Sequence, residues 1–224
     1  MPEKHLPRTS VFLVDDHPLV REWLTNLINQ QPDLAVCGEA ESRSDALQRL
    51  AAIKPDVAVV DIALKGSSGL ELIKDIAQMH PETAVLVLSM HDESHYAERA
   101  LRAGARGYMM KRDTTKNVIV AIRSLLEGKI YISESIATAM AARYVGTRRE
   151  TAITIEEQLS DRELEVFQLL GQGRGTRQIA ESMAISLKTV QAYCARIKEK
   201  LGLNSATELI REAVRWHEAS KREE

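Results

Sequence analysis

The sequence contains few cysteines and no long hydrophobic run. Its two cysteines, Cys37 and Cys194, are far apart and lack metal-ligand spacing, so we expect neither a disulfide nor a zinc site. The longest apolar runs, VAVVDIAL and AVLVLSM, have the length of strands and fall short of the roughly 20 residues that a membrane helix needs. The first residues, MPEKHLPRTS, contain no apolar segment typical of a secretory signal. These absences predict a cytoplasmic protein with no membrane partner.

The chain is nearly neutral, with a formal net charge of −2. A hydrophobic content of 44% and a charged content of 28% are typical of a soluble protein with a packed core. A length of 224 residues suits one or two domains. The charge of the whole chain gives no support to nucleic-acid binding, so any such function must depend on local charge.

The first half of the chain alternates between short β-branched runs and amphipathic stretches with helical period. The strand candidates are Val11–Val14, Ala35–Cys37, Val57–Val60, Ala84–Leu88 and Gly107–Met110. The helix candidates are Leu19–Asn29, Asp45–Ala52, Leu70–Met79, Tyr96–Ala103 and Thr115–Glu127. This alternation predicts an α/β domain over residues 9–128, with a doubly wound, five-stranded parallel sheet covered on both faces.

The pattern changes after Gly128. Residues 129–157 are predicted to form a partly helical linker, with one short helix over residues 133–145. From residue 158 to residue 218 only helical signals occur, and they predict a small all-α domain of four helices. The candidate helix caps and stops in this part are Ser160, Thr176, Ser186, Gly202 and Ser205.

Polar side chains follow the predicted strands at the point where each strand ends. They are Asp15 and Asp16 after the first strand, Asp61 after the third, Ser89 after the fourth and Lys111 after the fifth. In a flavodoxin-like strand order, 2-1-3-4-5, the first and third strands are neighbours, and ligands bind outside the carboxyl ends of the strands. Three carboxylates would then share one crevice, where they repel and raise one another's pKa.

One carboxylate of the Asp15–Asp16 pair could cap the helix that follows, but the second needs another explanation. A divalent cation such as Mg²⁺ takes oxygen ligands and is typically held by one or two carboxylates together with phosphate oxygens. The remaining carboxylate can then attack a phosphoryl group and form an aspartyl phosphate. A charge from Lys111 and a hydrogen bond from Ser89 would complete a phosphoryl pocket. The sequence therefore predicts Mg²⁺ as the cofactor.

With these residues, the segment from residue 10 to about residue 128 resembles the receiver domain of two-component response regulators. The resemblance rests on the DD pair, VVDIALKGSSG, LVLSM and GYMMK, and Gly69 also fits it. It implies that Asp61 is the phosphoacceptor. It also implies that Mg²⁺ is held by Asp15, Asp16, Asp61 and the backbone carbonyl of Ala63.

The resemblance assigns roles to three further residues. Ser89 and Lys111 would contact the phosphoryl group, and Tyr108 would be the switch aromatic that changes rotamer when the hydroxyl moves toward the phosphate. Two positions depart from the family, which often has proline where this chain has Lys65 and Arg112. Neither position supplies a ligand, so the departures affect the geometry of two loops rather than the chemistry.

Each of these residues has a simpler interpretation when it is taken alone. An aspartate after a strand is usually a helix cap, a single lysine is usually a surface charge, and a single tyrosine usually packs. The agreement of the whole set, in order and at strand ends, favours the receiver. A receiver that never takes phosphate is the alternative that remains at this stage.

The segment RQIAESMAISLKTVQAYCARI has the proportions of a helix-turn-helix, whose second helix enters the major groove of DNA. Between Arg174 and Lys200 there are six basic and two acidic residues, a local charge of +4. Basic side chains supply most non-specific affinity for DNA by contacting phosphates. A solvated face on a protein-binding helical bundle would show the same charge, so charge alone leaves both interpretations open.

This segment also resembles the LuxR-type helix-turn-helix of the NarL/FixJ class of response regulators, on residues such as Glu163, Gly173, Ile179, Thr189 and Val190. The resemblance implies a DNA-contacting set of Thr176, Arg177, Lys188, Thr189, Gln191, Ala192, Tyr193, Ala195, Arg196, Lys198 and Lys200. The family usually reads Thr-Val-Lys-x-His in the recognition helix, whereas this chain reads TVQAY. Because glutamine pairs with adenine and lysine favours guanine, we expect an altered base preference. The loss of long basic side chains from the recognition helix predicts weak recognition of each half-site, so that binding depends on a dimer.

The combined resemblance implies a response regulator and transcription factor that modifies itself and is not an enzyme. A sensor histidine kinase would be the phosphodonor, double-stranded DNA the ligand, RNA polymerase a candidate partner, and a homodimer the active form, paired through residues Ser205–Arg215. One alternative is an adaptor that binds a protein instead of DNA. A phosphohydrolase would need a second carboxylate at position 63, where this chain has Ala63.

Overall fold

A computed structural model describes residues 8–64, 66–90, 93–145 and 154–220. They belong to two compact units, which divide between residues 145 and 146. Lys65 and residues 146–153 of the predicted linker lie outside the described residues. No helix in the described ranges is long and apolar enough to cross a membrane.

The first unit contains a five-stranded parallel sheet with the order β2-β1-β3-β4-β5. Its strands are β1 (Thr9–Val14), β2 (Leu34–Ala40), β3 (Val57–Asp61), β4 (Ala84–Ser89) and β5 (Gly107–Met110). This confirms the five predicted strands and the flavodoxin-like order. Every residue of β3, β4 and β5 is buried, as expected for strands that are covered on both faces.

Six helices of the first unit follow the strands along the chain. They are α1 (Pro18–Asn29), α2 (Arg43–Ile53), α3 (Gly69–Met79), α4 (Glu93–Ala103), α5 (Thr114–Leu126) and α6 (Glu134–Val145). The helices are amphipathic: α1, for example, buries Leu24 and Ile28 and leaves Leu19 exposed. A short 3₁₀ turn over Lys111–Asp113, which the sequence did not predict, joins β5 to α5.

The chain between α5 and α6 is attached to the edge of the sheet. The backbone N–H of Tyr108 donates to the carbonyl of Tyr131 over 2.8 Å, and the N–H of Tyr131 donates to the carbonyl of Arg106 over 3.0 Å. Helix α6 contacts α4. The first residues of the predicted linker therefore pack on the first unit. The domain boundaries expected after residues 128 and 157 stay predictions.

The second unit is entirely helical where it is described. It contains α7 (Ile155–Gln158), α8 (Asp161–Gly171), α9 (Thr176–Ser182), α10 (Leu187–Leu201) and α11 (Ala206–Ser220). Four of these are the predicted helices, and α7 is an additional single turn. Their core includes Phe167, whose ring packs edge-on against Trp216 at a centroid distance of 5.6 Å.

Helix caps in the second unit follow the sequence with one exception. The hydroxyl of Ser186 accepts a hydrogen bond from the N–H of Thr189 over 3.0 Å, and Gly202 ends α10 at φ 65°. The prediction that Thr176 caps α9 is wrong, because Thr176 is the first helical residue and Gly175 is the N-cap. The side chain of Gln178 accepts a hydrogen bond from the N–H of Gly175 over 2.9 Å and so satisfies the donor of the N-cap residue, while glycine has no side chain to accept from the first N–H groups of the helix.

Candidate functional sites

The ends of parallel strands bring the predicted polar residues to one edge of the sheet. Asp61 is the last residue of β3 and Ser89 the last of β4, while Asp15 and Lys111 directly follow β1 and β5. Asp15, Asp61 and Ser89 are 2%, 3% and 0% exposed, respectively. The strand order therefore brings these residues to one edge of the sheet, as the sequence predicted, and as buried polar groups they require partners.

Lys111 is the partner of both buried carboxylates. Its ammonium nitrogen lies 2.6 Å from Asp15 Oδ2 and 2.7 Å from Asp61 Oδ2, and its side chain is only 10% exposed. Such short, charge-assisted hydrogen bonds offset the cost of burying each charge. Lys111 thus joins the ends of β1 and β3 without the help of a ligand.

The environment of Asp61 disfavours its ionised form. Burial is the main cause that raises the pKa of Asp61 to about 6, and the neighbouring charge of Asp15 raises it further, against the lowering effect of Lys111. For Lys111, burial lowers the pKa, but the charges and hydrogen bonds of Asp61 and Asp15 outweigh burial and raise the pKa above its usual value. The lysine is therefore charged throughout the physiological range, and Asp61 is ionised above about pH 6.

Asp16 completes the acidic crevice. Its Oδ1 atom is buried and has no hydrogen-bond partner among the described residues. One ligand atom from each of Asp15, Asp16, Asp61 and His17 lies within 4.8 Å of the others. Nδ1 of His17 lies 2.9 Å from this oxygen, at ion-pair distance but without the geometry of a hydrogen bond. A divalent cation bound by oxygen ligands would compensate the charge that the carboxylates concentrate here. The residues present therefore fit Mg²⁺.

The sequence did not single out His17, although it directly follows the acidic pair. His17 is the N-cap residue of α1, and its own N–H donates to Asp15 Oδ1 over 2.8 Å. The N-cap position is therefore not taken by Asp15 or Asp16, although the sequence suggested that one of them could cap α1. Arg21 in α1 donates to the backbone carbonyl of Asp15 over 2.6 Å, so α1 fixes Asp15 from a second direction.

The loop after β3 folds back over the end of that strand. The N–H of Ala63 donates to Asp61 Oδ1 over 3.1 Å, which orients that carboxylate. A Cβ atom added to Gly69 would lie 2.2 Å from the backbone oxygen of Asp61, so only glycine fits this close approach. The N–H of Gly69 donates to the carbonyl of Ile62 over 3.0 Å and closes the turn. The assignment of the Ala63 carbonyl as a metal ligand stays a prediction.

The switch residues predicted from the sequence are buried on neighbouring strands. Ser89 of β4 pairs with Met110 of β5, and Val87 pairs with Tyr108. Because side chains alternate along a strand, Ser89 and Tyr108 leave the same face of the sheet. Tyr108 is fully buried.

The predicted DNA-contacting residues lie on α9 and α10 of the second unit. Those that are exposed are Arg177, Lys188, Gln191, Ala192, Ala195, Arg196 and Lys200, and those that are partly exposed are Thr176, Thr189, Tyr193 and Lys198. The guanidinium of Arg196 lies 6.0 Å from the centre of the Tyr193 ring, a cation–π arrangement. The helices thus present a surface with basic and small side chains together.

Two members of this set also have structural contacts. The hydroxyl of Thr189 is 2.7 Å from that of Ser186 at the start of α10. The ammonium of Lys200 lies 2.6 Å from Glu163 Oε2 in α8. Burial raises the pKa of Glu163, but the hydrogen bonds from Lys200 and the N–H of Ser160 hold it below the usual value. The sequence could not reveal this ion pair, because it depends on how α8 and α10 pack.

Comparison with known proteins identifies the families of both parts of the chain. Residues 11–123 match the family model of the response regulator receiver domain, and residues 157–213 match that of bacterial regulatory proteins of the luxR family. The oxygen regulatory protein NreC of Staphylococcus aureus is 35% identical over 209 residues, which cover 92% of this chain and 96% of NreC.

Solved structures resemble the chain as well. A two-component response regulator of the LuxR family from Aurantimonas sp. SI85-9A1 is 35% identical and matches with a TM-score of 0.57, covering 62% of this chain and 99% of that one. RcsB of Salmonella enterica serovar Typhimurium is 23% identical, with a TM-score of 0.61 over 92% of this chain and 98% of RcsB, and this likeness shows the fold alone.

Proteins that combine these two domains are transcription regulators, in agreement with the prediction that the chain is not an enzyme. The two family models cover both compact units, and the similarity to NreC extends over nearly the whole length of both proteins. This chain therefore belongs to the response regulators of the NarL/FixJ class, in which a receiver domain precedes a LuxR-type helix-turn-helix domain.

Proposed function

We propose that Asp61 accepts a phosphoryl group and that this modification controls binding of α10 to specific DNA sites. The observation that carries the proposal is the buried arrangement in which Lys111 bonds to both Asp15 and Asp61. A nucleophilic carboxylate beside a fixed cation suits phosphoryl transfer, where catalysis consists mainly of positioning and charge stabilisation.

In the transfer step, a carboxylate oxygen of Asp61 attacks the phosphorus of the donor. The new bond joins that oxygen to phosphorus, and the broken bond leaves its electron pair on the donor. A histidine nitrogen leaves with a proton as imidazole, whereas an acyl phosphate leaves an ionised carboxylate that needs no proton. The donor would be a phosphohistidine of a sensor kinase or a small acyl phosphate. The pKa of about 6 leaves Asp61 mainly ionised at neutral pH, as the attack requires.

Lys111 and Ser89 would bind the transferred group. Formation of the acyl phosphate removes the charge of the Asp61 carboxylate and adds charged phosphoryl oxygens. These oxygens are stronger hydrogen-bond acceptors for the ammonium of Lys111, close to its present position. Ser89 ends the neighbouring strand β4, where its hydroxyl can donate to the phosphoryl group. Movement of Ser89 would then affect Tyr108, which shares its face of the sheet.

Mg²⁺ would be held by Asp15, Asp16, Asp61 and the backbone carbonyl of Ala63. The buried Oδ1 atom of Asp16, which has no hydrogen-bond partner in the described part of the chain, supports this set. The ion would neutralise charge on the phosphoryl oxygens. The contribution of the chain is to hold its carboxylates at the crevice and to exclude water from Asp61.

The second unit would bind double-stranded DNA with α10 in the major groove. Lys188 and Arg196 would contact phosphates, while Gln191 would read adenine. A solved structure of RcsB is bound to promoter DNA in the presence of the phosphomimetic BeF₃⁻. By analogy, phosphorylation would favour a homodimer paired through α11, so that two weak half-sites are bound together. RNA polymerase is a further candidate partner.

Fluorescence anisotropy with labelled promoter fragments tests this function. We expect acetyl phosphate with Mg²⁺ to increase the affinity of wild type at least several-fold and to leave Asp61→Asn unchanged. The exposed carboxylate variant Glu82→Gln is the matched control and should respond like wild type. Equal affinity with and without phosphorylation contradicts the switch. Absence of binding to every fragment, even at low salt, favours an adaptor that binds a protein.

A further inference from the structure

His17 brings an imidazole nitrogen to the acidic crevice. Its Nδ1 atom lies 2.9 Å from Asp16 Oδ1 and 3.2 Å from Asp15 Oδ1. The residue is held in place because its backbone N–H donates to Asp15 and because it directly precedes α1. The side chain is 64% exposed, so its ring can turn without disturbing the core.

The contact between His17 Nδ1 and Asp16 Oδ1 has the length of an ion pair but not the geometry of a hydrogen bond. Asp16 Oδ1 has no hydrogen-bond partner among the described residues, although Nδ1 of His17 is 2.9 Å away, and the Asp16 side chain is only 9% exposed. Adjacent ligands of an octahedral cation with bond lengths of about 2.1 Å are separated by about 3.0 Å. The two atoms therefore have the separation expected of neighbouring ligands to one ion.

We propose that His17 is a nitrogen ligand that adapts the receiver crevice to first-row transition cations such as Mn²⁺. This inference rests on the proposed metal site and adds a residue to it. Mg²⁺ takes oxygen ligands almost exclusively, whereas first-row transition cations also bind imidazole. Mn²⁺ is the weakest binder of that series and the one that most favours carboxylates, so it is the probe that fits a mainly acidic crevice. A crevice with three carboxylates and one imidazole would bind Mn²⁺ more tightly than three carboxylates alone.

The competing interpretation is that Nδ1 of His17 serves only as a hydrogen-bond donor to Asp15, 3.2 Å away. In that case the imidazole stays outside the coordination sphere and does not change metal selectivity. Pulsed electron paramagnetic resonance separates the two interpretations, since a coordinated imidazole modulates the Mn²⁺ electron spin echo through its ¹⁴N nucleus.

The experiment uses the full chain loaded with one equivalent of Mn²⁺. We expect ¹⁴N modulation in wild type and its loss in His17→Gln, with Mn²⁺ affinity roughly tenfold weaker in the variant by calorimetry. His80→Gln is the control, because His80 is the C-cap residue of α3 and precedes β4, at the opposite edge of the sheet from the crevice, and this variant should keep the modulation. Asp16→Asn should weaken Mn²⁺ binding, which assigns the bound ion to the crevice.

Two results would overturn the inference: bound Mn²⁺ without ¹⁴N modulation in wild type, or modulation that persists in His17→Gln. Failure of Mn²⁺ to bind would also overturn it. A separate measurement on wild type, the Mg²⁺-dependent phosphoryl adduct on Asp61, shows whether the proposed function fails as well. An adduct without ¹⁴N modulation rejects only the role of His17.

Discussion

Asp61 and Lys111 stand 50 positions apart in the sequence, and their side chains meet at 2.7 Å. The strand order makes this contact possible, because β3 and β5 end at the same edge of the sheet on either side of β4. The same lysine also bonds to Asp15, so one cation compensates two buried anions. The chemistry proposed for Asp61 and the stability of the first unit are therefore coupled through Lys111.

Replacement of Lys111 by methionine should destabilise the first unit in the absence of divalent cations. Removal of one partner leaves Asp15 and Asp61 buried without a counter-ion, which costs roughly 3–5 kcal/mol in comparable sites. Part of this cost should be recovered by millimolar Mg²⁺. Urea unfolding with and without Mg²⁺ measures both effects. The control is Lys129→Met, which removes an exposed ion pair with Glu127 and should leave the free energy of unfolding nearly unchanged.

The stability of the metal-free chain should depend on pH through Asp61. Its folded-state pKa, about 6, lies above the value of about 3.9 expected in the unfolded chain, so the folded state holds this proton more tightly. The stabilisation from the bound proton is complete below about pH 4 and is lost as the pH rises through 6. Asp61→Asn should lack this loss. Equal pH profiles for the two proteins in urea unfolding would contradict the raised pKa.

Gly69→Ala should impair the acceptor loop. The added Cβ would meet the backbone oxygen of Asp61 at 2.2 Å, so the loop or the end of β3 must move, at a cost of roughly 1–3 kcal/mol. We expect a lower melting temperature for the first unit and slower phosphorylation of Asp61. Gly175→Ala is the matched control, because its nearest neighbour is the side chain of Gln178 at 3.8 Å. Phosphorylation at the wild-type rate in Gly69→Ala would refute the proposed constraint.

Lys188 and Lys200 should make different contributions to DNA binding. Lys188 is exposed and has no ion pair among the described residues, whereas Lys200 already pairs with Glu163. Lys188→Ala should reduce the salt dependence of affinity by about one phosphate contact. Lys200→Ala should reduce it less and should lower the stability of the second unit, since Glu163 is left without its cation. A larger effect of Lys200 on the salt dependence would show that the ion pair opens on DNA.

Gln191→Lys tests how the recognition helix reads bases. Glutamine bonds to adenine N6 and N7, whereas lysine favours guanine, so the preferred base at one position of each half-site should change from adenine to guanine. Affinities across a panel of DNA sites measure the change. Gln172→Lys adds the same charge outside α10 and should strengthen all sites similarly. An unchanged base preference in Gln191→Lys would exclude the assigned role.

The strands and the acidic crevice could be predicted because their signals are local. Apolar runs such as Val57–Val60 identify strands that are buried on both faces, and a parallel sheet brings residues that follow such strands to one edge. The contact of Lys111 with both Asp15 and Asp61 was not predicted, since the sequence suggested a lysine reserved for the phosphoryl group. In the structure, the same charge first compensates the buried carboxylates.

Features that depend on packing between distant elements left little signal in the sequence. The ion pair of Lys200 with Glu163 requires the crossing of α8 and α10, and the pairing of Tyr131 with β5 occurs where the sequence suggested a linker. The cap of α9 was misassigned because threonine is a favourable N-cap residue, whereas Gly175 takes that position and bonds to Gln178. His17 directly follows the acidic pair in the sequence, but that position alone does not show that its imidazole lies beside both carboxylates. The distances from Nδ1 to Asp15 and Asp16 in the structure show it.

The role of Asp61 as phosphoacceptor is tested most directly by the intact mass of the chain after incubation with acetyl phosphate, with and without Mg²⁺, for wild type and Asp61→Asn. We expect one phosphoryl adduct on wild type that requires Mg²⁺ and is absent from Asp61→Asn. Absence of an adduct on wild type with acetyl phosphate or any phosphorylated kinase, or an adduct of equal yield on Asp61→Asn, would contradict the assignment of Asp61 as the phosphoacceptor.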